Sequence, residues 1–400
     1  MTKLCSKPLW ACILAALLIA SCSAKVASKH GKGQKLASTL PESIRYHPNH
    51  QAAPARKEAD MPAEFDWCKL GFCTSGWNQH IPSYCGSCYL HASLSMLNDR
   101  IKIAKQGHSP DVMLGRQSFL NCGPSEGYSG GCDGGDVIDV VRYMAQHGLP
   151  DESCMPYSAT DLSSRGLQKH KGEHCRAQDF CLNCMPGDDQ EGGQGETKCW
   201  AVREPILYKL SSYGNVGATQ PDAGNMEAMM SEILARGPIT CSIACPDELV
   251  YGYDGGIYED TTGDTEVDHD VEVVGWGEEN GVKFWNIRNS WGSYWGVNGF
   301  FRLRRGVNAL QLEAGDCWYA VPTWDMEKDV AEGRLVGSMY GVHPRGTPVP
   351  DFQALPTEHN AQQVIEEQQQ QQQQQQQGQR IETGDEEVRM NGNRKIIRPA

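Results

Sequence analysis

The chain has 400 residues, 17 cysteines and a formal net charge of −14. That charge would repel phosphates instead of neutralising them, which excludes nucleic acid and anionic membranes as expected partners. Both ends differ in composition from a folded core, so one large domain with processing segments is expected.

Lys3 and Lys7 precede the apolar run Leu9 to Ala20, and small residues follow to Ala24. This is the layout of a secretory leader, residues 1–24, with an apolar run too short to span a bilayer. A bacterial lipid-attachment signal is the rival reading, since Ile19-Ala20-Ser21-Cys22 fits it too. Residues 25–60 are rich in Lys, His, Ser, Pro and Ala without helical or strand period, and read as a short extended propeptide. From Met61 to Trp324 glycines, aromatics and the 14 cysteines outside the leader occur together. Cysteine at that density behind a leader points to disulfides and an oxidising compartment reached through the secretory pathway. Residues 325–400, with an unbroken glutamine run from Gln368 to Gln377, read as a mostly disordered tail.

The chemistry concentrates in Asn78-Gln79-His80-Ile81-Pro82-Ser83-Tyr84-Cys85-Gly86-Ser87-Cys88. After it, Leu90, Leu94, Leu97, Ile101 and Ala104 recur at helical spacing, predicting a helix that begins near Cys88 with Ser87 as its N-cap. A thiol in a first helical turn feels the positive end of the dipole, which favours thiolate. Val267-Asp268-His269-Asp270-Val271 leads into an apolar run ending Gly275-Trp276-Gly277, a strand that would hold a histidine rigidly. Asn286-Ile287-Arg288-Asn289-Ser290-Trp291-Gly292 then offers an amide beside large aromatics, able to accept from that histidine and to shield the bond. In this order the three blocks supply a nucleophile, its base and the group that orients the base.

These blocks resemble the signatures of the papain family of cysteine peptidases. The resemblance covers roughly Met61 to Val321 and implies an α+β, two-lobed fold, with a helical lobe from about Met61, a β-barrel-like lobe from about Trp200, and the active site in the cleft between them. It carries over onto Cys88, His269 and Asn289, with Gln79 and the Cys88 N–H as the oxyanion hole. Cys132-Asp133-Gly134-Gly135 resembles the stretch whose glycine backbone, here Gly134 and Gly135, pairs with extended substrate. Tyr89 stands where the family usually has tryptophan. Asp270 follows the histidine at a position that borders a substrate pocket in the family, and either selects basic side chains or is paired internally; Trp291 adjoins the same cleft.

His80-Ile81-Pro82 lengthens the segment from Gln79 to Cys88 to nine positions, and such a loop resembles the cathepsin X (cathepsin Z) branch of the family. There it narrows the leaving-group side, and its histidine pairs with a terminal carboxylate, which implies a carboxypeptidase that removes one residue. A propeptide cysteine keeps that branch latent, whereas residues 25–60 contain none. The resemblance implies disulfides Cys85–Cys132, Cys122–Cys154 and Cys241–Cys317, with Cys175, Cys181, Cys184 and Cys199 forming two more. Cys68 and Cys73 are expected to join each other outside the family pattern, leaving Cys245 unpaired. It implies peptide or protein substrates, a monomer, no membrane contact after leader cleavage, and no metal or organic cofactor. The alternatives are a papain-like endopeptidase, a thiol-disulfide oxidoreductase built on Cys85 and Cys88, and a catalytically silent homologue.

Overall fold

The computed structural model describes residues 37–161, 175–186, 197–217, 225–347 and 359–360. The leader and the glutamine run lie outside the described residues. In chain order the elements are α1 (Glu42–Arg45), β1 (Phe65–Asp66), α2 (Cys88–Ala104), α3 (Arg116–Cys122), α4 (Val137–Gln146), α5 (Ala177–Phe180), β2 (Leu182–Pro186) and β3 (Thr197–Ala201). There follow β4 (Lys209–Val216), α6 (Asn225–Arg236), β5 (Ile239–Ala244), α7 (Asp247–Gly252), β6 (Ile257–Tyr258), β7 (Val267–Glu279), β8 (Val282–Arg288), β9 (Phe300–Arg304) and β10 (Cys317–Thr323). The chain continues with α8 (Asp325–Ala331), the hairpin β11 (Leu335–Ser338) and β12 (Gly341–Pro344), and β13 (His359–Asn360). Residues 325–347 are therefore structured, which corrects the expected start of the tail.

Leu90, Leu94, Leu97 and Ile101 are fully buried, while Ala104 is exposed. A single apolar stripe understates α2, because every residue from Tyr89 to Ile101 is buried. The helix is enclosed by α3 and α4 on one side and by β5, β7 and β10 on the other. Its polar side chains therefore need partners: Arg100 donates to the carbonyls of Pro238, Gly237 and Ala320 and to Glu232 Oε1 at 2.9 Å.

Two apolar cores result. One joins α2, α3 and α4 to Tyr208, Leu210 and Trp318; the other fills the space between α6 and strands β5, β7, β8 and β9. Met61, Phe65 and Trp67 pack into the second core, so the chain near Met61 belongs to the sheet half, not to the helical half as expected. The reason is β1, which pairs with β7 through Phe65–Trp276 and Asp66–Gly275. A Cβ on Gly275 would lie 2.1 Å from the Phe65 carbonyl, so the approach requires glycine there.

The main sheet runs β4-β10-β5-β7-β8-β9-β6 with β1 added to β7. Among the described residues it is an open path with ends at β4 and β6, and no closed barrel is found. Between β7 and β8, Asn280 and Gly281 have φ of 53° and 79°, the two positive values of a type I′ turn. That turn sets the register as far as Gly275–Asn286, a bulge between Val273 and Gly275 shifts it by one to place Glu272 opposite Arg288, and His269 and Asn289 lie at that end of the hairpin.

Residues 37–60 lie across the body. Ala37 is buried with its N–H on Asp316 Oδ1 at 3.2 Å. Tyr46 bridges to Gly214 on the outer edge of β4, and His50 Nδ1 meets Tyr319 Oη at 2.7 Å. Farther on, Glu58 pairs with Lys283 at 2.8 Å and Arg305 at 2.7 Å.

The structure joins Cys68–Cys73, Cys85–Cys132, Cys184–Cys199 and Cys241–Cys317, and leaves Cys88 and Cys245 out of disulfides. It corrects the remaining expectation: Cys122 bonds to Cys175 and Cys154 to Cys181, with Cα separations of 5.1 Å and 4.6 Å. Ser118 Oγ donates to the Phe180 carbonyl and Asn121 Nδ2 to that of Asp179, both at 2.7 Å. These bonds pin α5 on α3, which carries Cys122, with Cys175 and Cys181 flanking α5.

Candidate active site

Cys88 opens α2 and is half-buried. The turn before it is rigid: Cys85 is tied to Cys132, Gly86 N–H donates to the Cys132 carbonyl at 2.8 Å, and a Cβ on Gly86 would sit 2.8 Å from that oxygen. With Cys85 committed, Cys85 and Cys88 do not form a redox pair. Ser87 occupies the N-cap but its hydroxyl does not cap the helix. It meets Tyr157 Oη at 3.0 Å and His91 Nδ1 at 3.2 Å instead.

Burial pushes the Cys88 thiol up, and the Asp270 carboxylate adds to the push, while the backbone N–H groups of Asp270 and Tyr89 oppose it. Burial also holds the Asp270 carboxyl well above the usual carboxylate range. Asp270 accepts from Ser242 Oγ at 2.7 Å and is 1% exposed, so it is packed inward and does not face open cleft.

The Asp270 N–H lies at the Cys88 sulfur, and His269 is the residue before it on β7. His269 Nε2–H donates to Asn289 Oδ1 at 2.9 Å. Ser290 N–H donates to the same oxygen at 2.7 Å, which fixes the amide's orientation. Trp291 stacks on the imidazole with centroids 4.8 Å apart, and Trp295 meets Trp291 edge-on at 4.9 Å. The pair is almost dry, with His269 2% and Asn289 5% exposed.

Gln79 is held at three points. Its N–H donates to the Ser290 carbonyl at 2.8 Å, its Oε1 accepts from Ser290 Oγ at 2.6 Å, and its Nε2 donates to the Cys85 carbonyl at 3.0 Å. An amide nitrogen carries two hydrogens, so one remains to face a substrate. Ser290 was not singled out from the sequence, although it stands inside the Asn-Ser-Trp-Gly block.

In the His80-Ile81-Pro82 loop, the His80 ring stacks on Tyr84 at 4.8 Å and 12°. His80 Nδ1 accepts from Cys85 N–H at 3.5 Å, and Ile81 is 61% exposed. Tyr84 lies near enough to Cys88 for the thiol's charge to raise its hydroxyl, after burial the largest influence. Gly134, at φ of 116°, and Gly135 follow the Cys132 bridge. A Cβ on Gly135 would fall 2.8 Å from the Tyr89 ring, and Tyr89 Oη donates to the Gly131 carbonyl at 3.0 Å. Tyr89 thus carries this glycine stretch from below.

Beneath the pair, Arg288 meets Asp99 and Glu272, each at 3.0 Å, with all three side chains buried. Burial alone would lower the guanidinium, but Glu272 and Asp99 outweigh it. Among the described residues the metal-like grouping is Cys68, Cys73 and Asp99, whose two sulfurs are spent in a disulfide. No helix of the described residues is long and apolar enough to cross a membrane.

The family model described as papain family cysteine protease matches residues 61–320. Over 265 residues the chain is 33% identical to cathepsin Z of Onchocerca volvulus, covering 64% of this chain and 76% of that relative. Over 269 residues it is 29% identical to cathepsin B-like cysteine proteinase 6 of Caenorhabditis elegans, covering 64% and 66% respectively. A crystal structure of a Carica candamarcensis cysteine protease in complex with E-64 is similar at 24% identity and a TM-score of 0.46, covering 65% of this chain and 98% of that one.

Proposed function

Because the chain belongs to the papain family of cysteine proteases, we propose that Cys88, His269, Asn289 and Gln79 are its catalytic residues and that it removes single residues from peptide C-termini. The observation that carries the catalytic assignment is the His269–Asn289 hydrogen bond, sealed under Trp291, beside a thiol at the start of α2. With Nε2–H committed to Asn289, His269 offers Nδ1 to the sulfur. Transfer of the thiol proton to Nδ1 gives a thiolate and an imidazolium that stabilise each other, which offsets the desolvation of Cys88.

The thiolate attacks the scissile carbonyl, and the developing oxyanion takes hydrogen bonds from Gln79 Nε2–H and the Cys88 N–H. His269 returns its proton to the departing amine, leaving a thioester on Cys88. Water, deprotonated by His269, then attacks the thioester and releases the acid. Extended substrate would lie along Gly134 and Gly135 as an added strand.

The carboxypeptidase reading rests on the His80-Ile81-Pro82 loop at the Cys88 end of the cleft and on the likeness to a cathepsin Z. His80 would bind the terminal carboxylate while Ile81 and Tyr84 obstruct longer chains. Residues 1–24 act as leader and 25–60 as propeptide in this reading, and the enzyme works in the lysosome or outside the cell.

The test compares wild type with Cys88→Ser at mildly acidic pH under reduction, on one peptide with either a free or an amidated C-terminus. Single-residue release from the free acid alone, abolished by Cys88→Ser, is expected. Internal cleavage of both peptides would overturn the exopeptidase assignment and leave an endopeptidase.

A further inference from the structure

Directly under the His269–Asn289 pair, between α2 and the sheet, lies a small cavity with room for about one water, lined by His91, Asp270, Glu272, Arg288, Asn289 and Ser290, among others. Several buried polar atoms of its walls reach no hydrogen-bond partner, His91 Nε2, Asn289 Nδ2 and Glu272 Oε1 among them, while Glu272 Oε2 is held by Arg288 at 3.0 Å. Leaving a buried polar atom unbonded costs about 1–3 kcal/mol, so such a cluster around a space the size of a water is a hydration site.

The bonding around His91 gives that water a direction. His91 Nδ1 lies 3.0 Å from the Ser87 carbonyl, which can only accept, so the ring proton is on Nδ1 and Nε2 is an acceptor. Asn289 Oδ1 is taken by His269 and Ser290, so its Nδ2 can only donate. One water satisfies both ends: its oxygen accepts from Asn289 Nδ2, one hydrogen goes to His91 Nε2 and the other to Glu272.

We propose that this water is a fixed part of the enzyme and that His91 is a positioning residue, locking the Asn289 amide and thereby the proton of His269 on Nε2. The path from the Ser87 carbonyl through His91, the water and Asn289 ends at the catalytic imidazole, and it starts in the turn that carries Cys88. Tyr157 extends it, meeting Ser87 Oγ at 3.0 Å, donating to the Gln79 carbonyl at 2.7 Å, and packing edge-on against His91 at 4.8 Å. Both halves of the site are thus set by one buried network. His91 must stay neutral for the direction to hold. Burial, then Arg116 on α3, keep its imidazole well below the ordinary value, and His80 acts in the same sense. The other charged or titratable groups facing it are Asp270 and Glu272 on β7 and Arg288 on β8.

The inference rests on Cys88 and His269 acting as proposed above, and its test separates the two. In the full-length protein after activation, Cys88 alkylation by iodoacetamide is followed against pH by mass spectrometry, alongside kcat and KM on a peptide substrate. His91→Phe fills the space but removes the acceptor; His91→Gln restores an acceptor. His91→Phe is expected to lower kcat roughly tenfold with KM unchanged, to shift the alkylation profile, and to weaken the low-field proton resonance of His269 Nε2–H, with His91→Gln recovering most of each. A wild-type kcat and alkylation profile in His91→Phe would overturn the inference, as would a dry cavity in a high-resolution structure of the wild-type protein. A wild type whose Cys88 alkylates only like an ordinary thiol would instead overturn the catalytic reading.

Discussion

Replacing His80 tests substrate choice most directly. Its ring lies flat on Tyr84, and its Nδ1 takes the Cys85 N–H. The ring proton is therefore on Nε2, across the ring from that bond, where a terminal carboxylate would be received. A hydrogen bond to a charged group contributes about 1.5–3 kcal/mol, or roughly 10- to 100-fold in kcat/KM. His80→Ala would remove this bond and also the aromatic stack, which contributes about 0.5–1.5 kcal/mol and steadies the loop. His80→Phe keeps the stack and deletes only the donor, so it isolates the effect. The assay is kcat/KM on matched peptides ending in a free acid or an amide. With His80→Phe the free-acid value is expected to fall by that factor while any slow cleavage of the amide stays constant. Equal losses on both peptides, or none on either, would refute the carboxylate-binding role.

In the proposed mechanism Gln79→Ala removes one oxyanion donor and is expected to lower kcat roughly 10²- to 10³-fold with little change in KM, measured by steady-state kinetics. A second prediction concerns Asp268, whose carboxyl is pushed up to about 7 by burial and by Asp264 and Glu266. A raised carboxyl stabilises the fold in its neutral form, fully below the ordinary carboxylate range, and loses that contribution as pH rises through 7. Thermal melts should show Tm falling between pH 5 and pH 8 in the wild type, and a flatter profile in Asp268→Asn.

The parts of this site that sequence order could reveal are those carried by short contiguous blocks. Cys88, His269 and Asn289 stand in such blocks, and the Asn280-Gly281 turn that aligns two of them is a local signal as well. What stayed hidden depends on packing between distant segments. Asp270 looked as ready to line a pocket as to be paired, and only the position of Ser242 on the neighbouring strand turns it inward. The burial around the thiol was hidden for the same reason, since a helix start is visible in sequence but the packing around it is not. The Cys122 and Cys154 partners depended on where α5 docks, and no spacing rule reports that. His91 sat within the quoted helix and went unnoticed because a histidine on a buried helix carries no mark of the cavity it faces.

In the proposed maturation, loss of the segment from 37 to 60 would change the surface left behind. The segment lies along β4, the terminal strand of the sheet, with Tyr46 bridged to Gly214 and His47 donating to the Tyr213 carbonyl. Gly214 tolerates this contact because it has no side chain; a Cβ there would sit 2.4 Å from His50. Cutting near residue 60 and releasing the segment would bare that strand edge, with a glycine at its centre and nothing to screen its backbone from another chain. It would also take Glu58 from Arg305, whose guanidinium is buried against the sulfurs of Met226 and Met230. Maturation would then trade shelf life for activity: the released form carries an adhesive border and a stranded cation that the precursor does not, and its ageing should begin at that border.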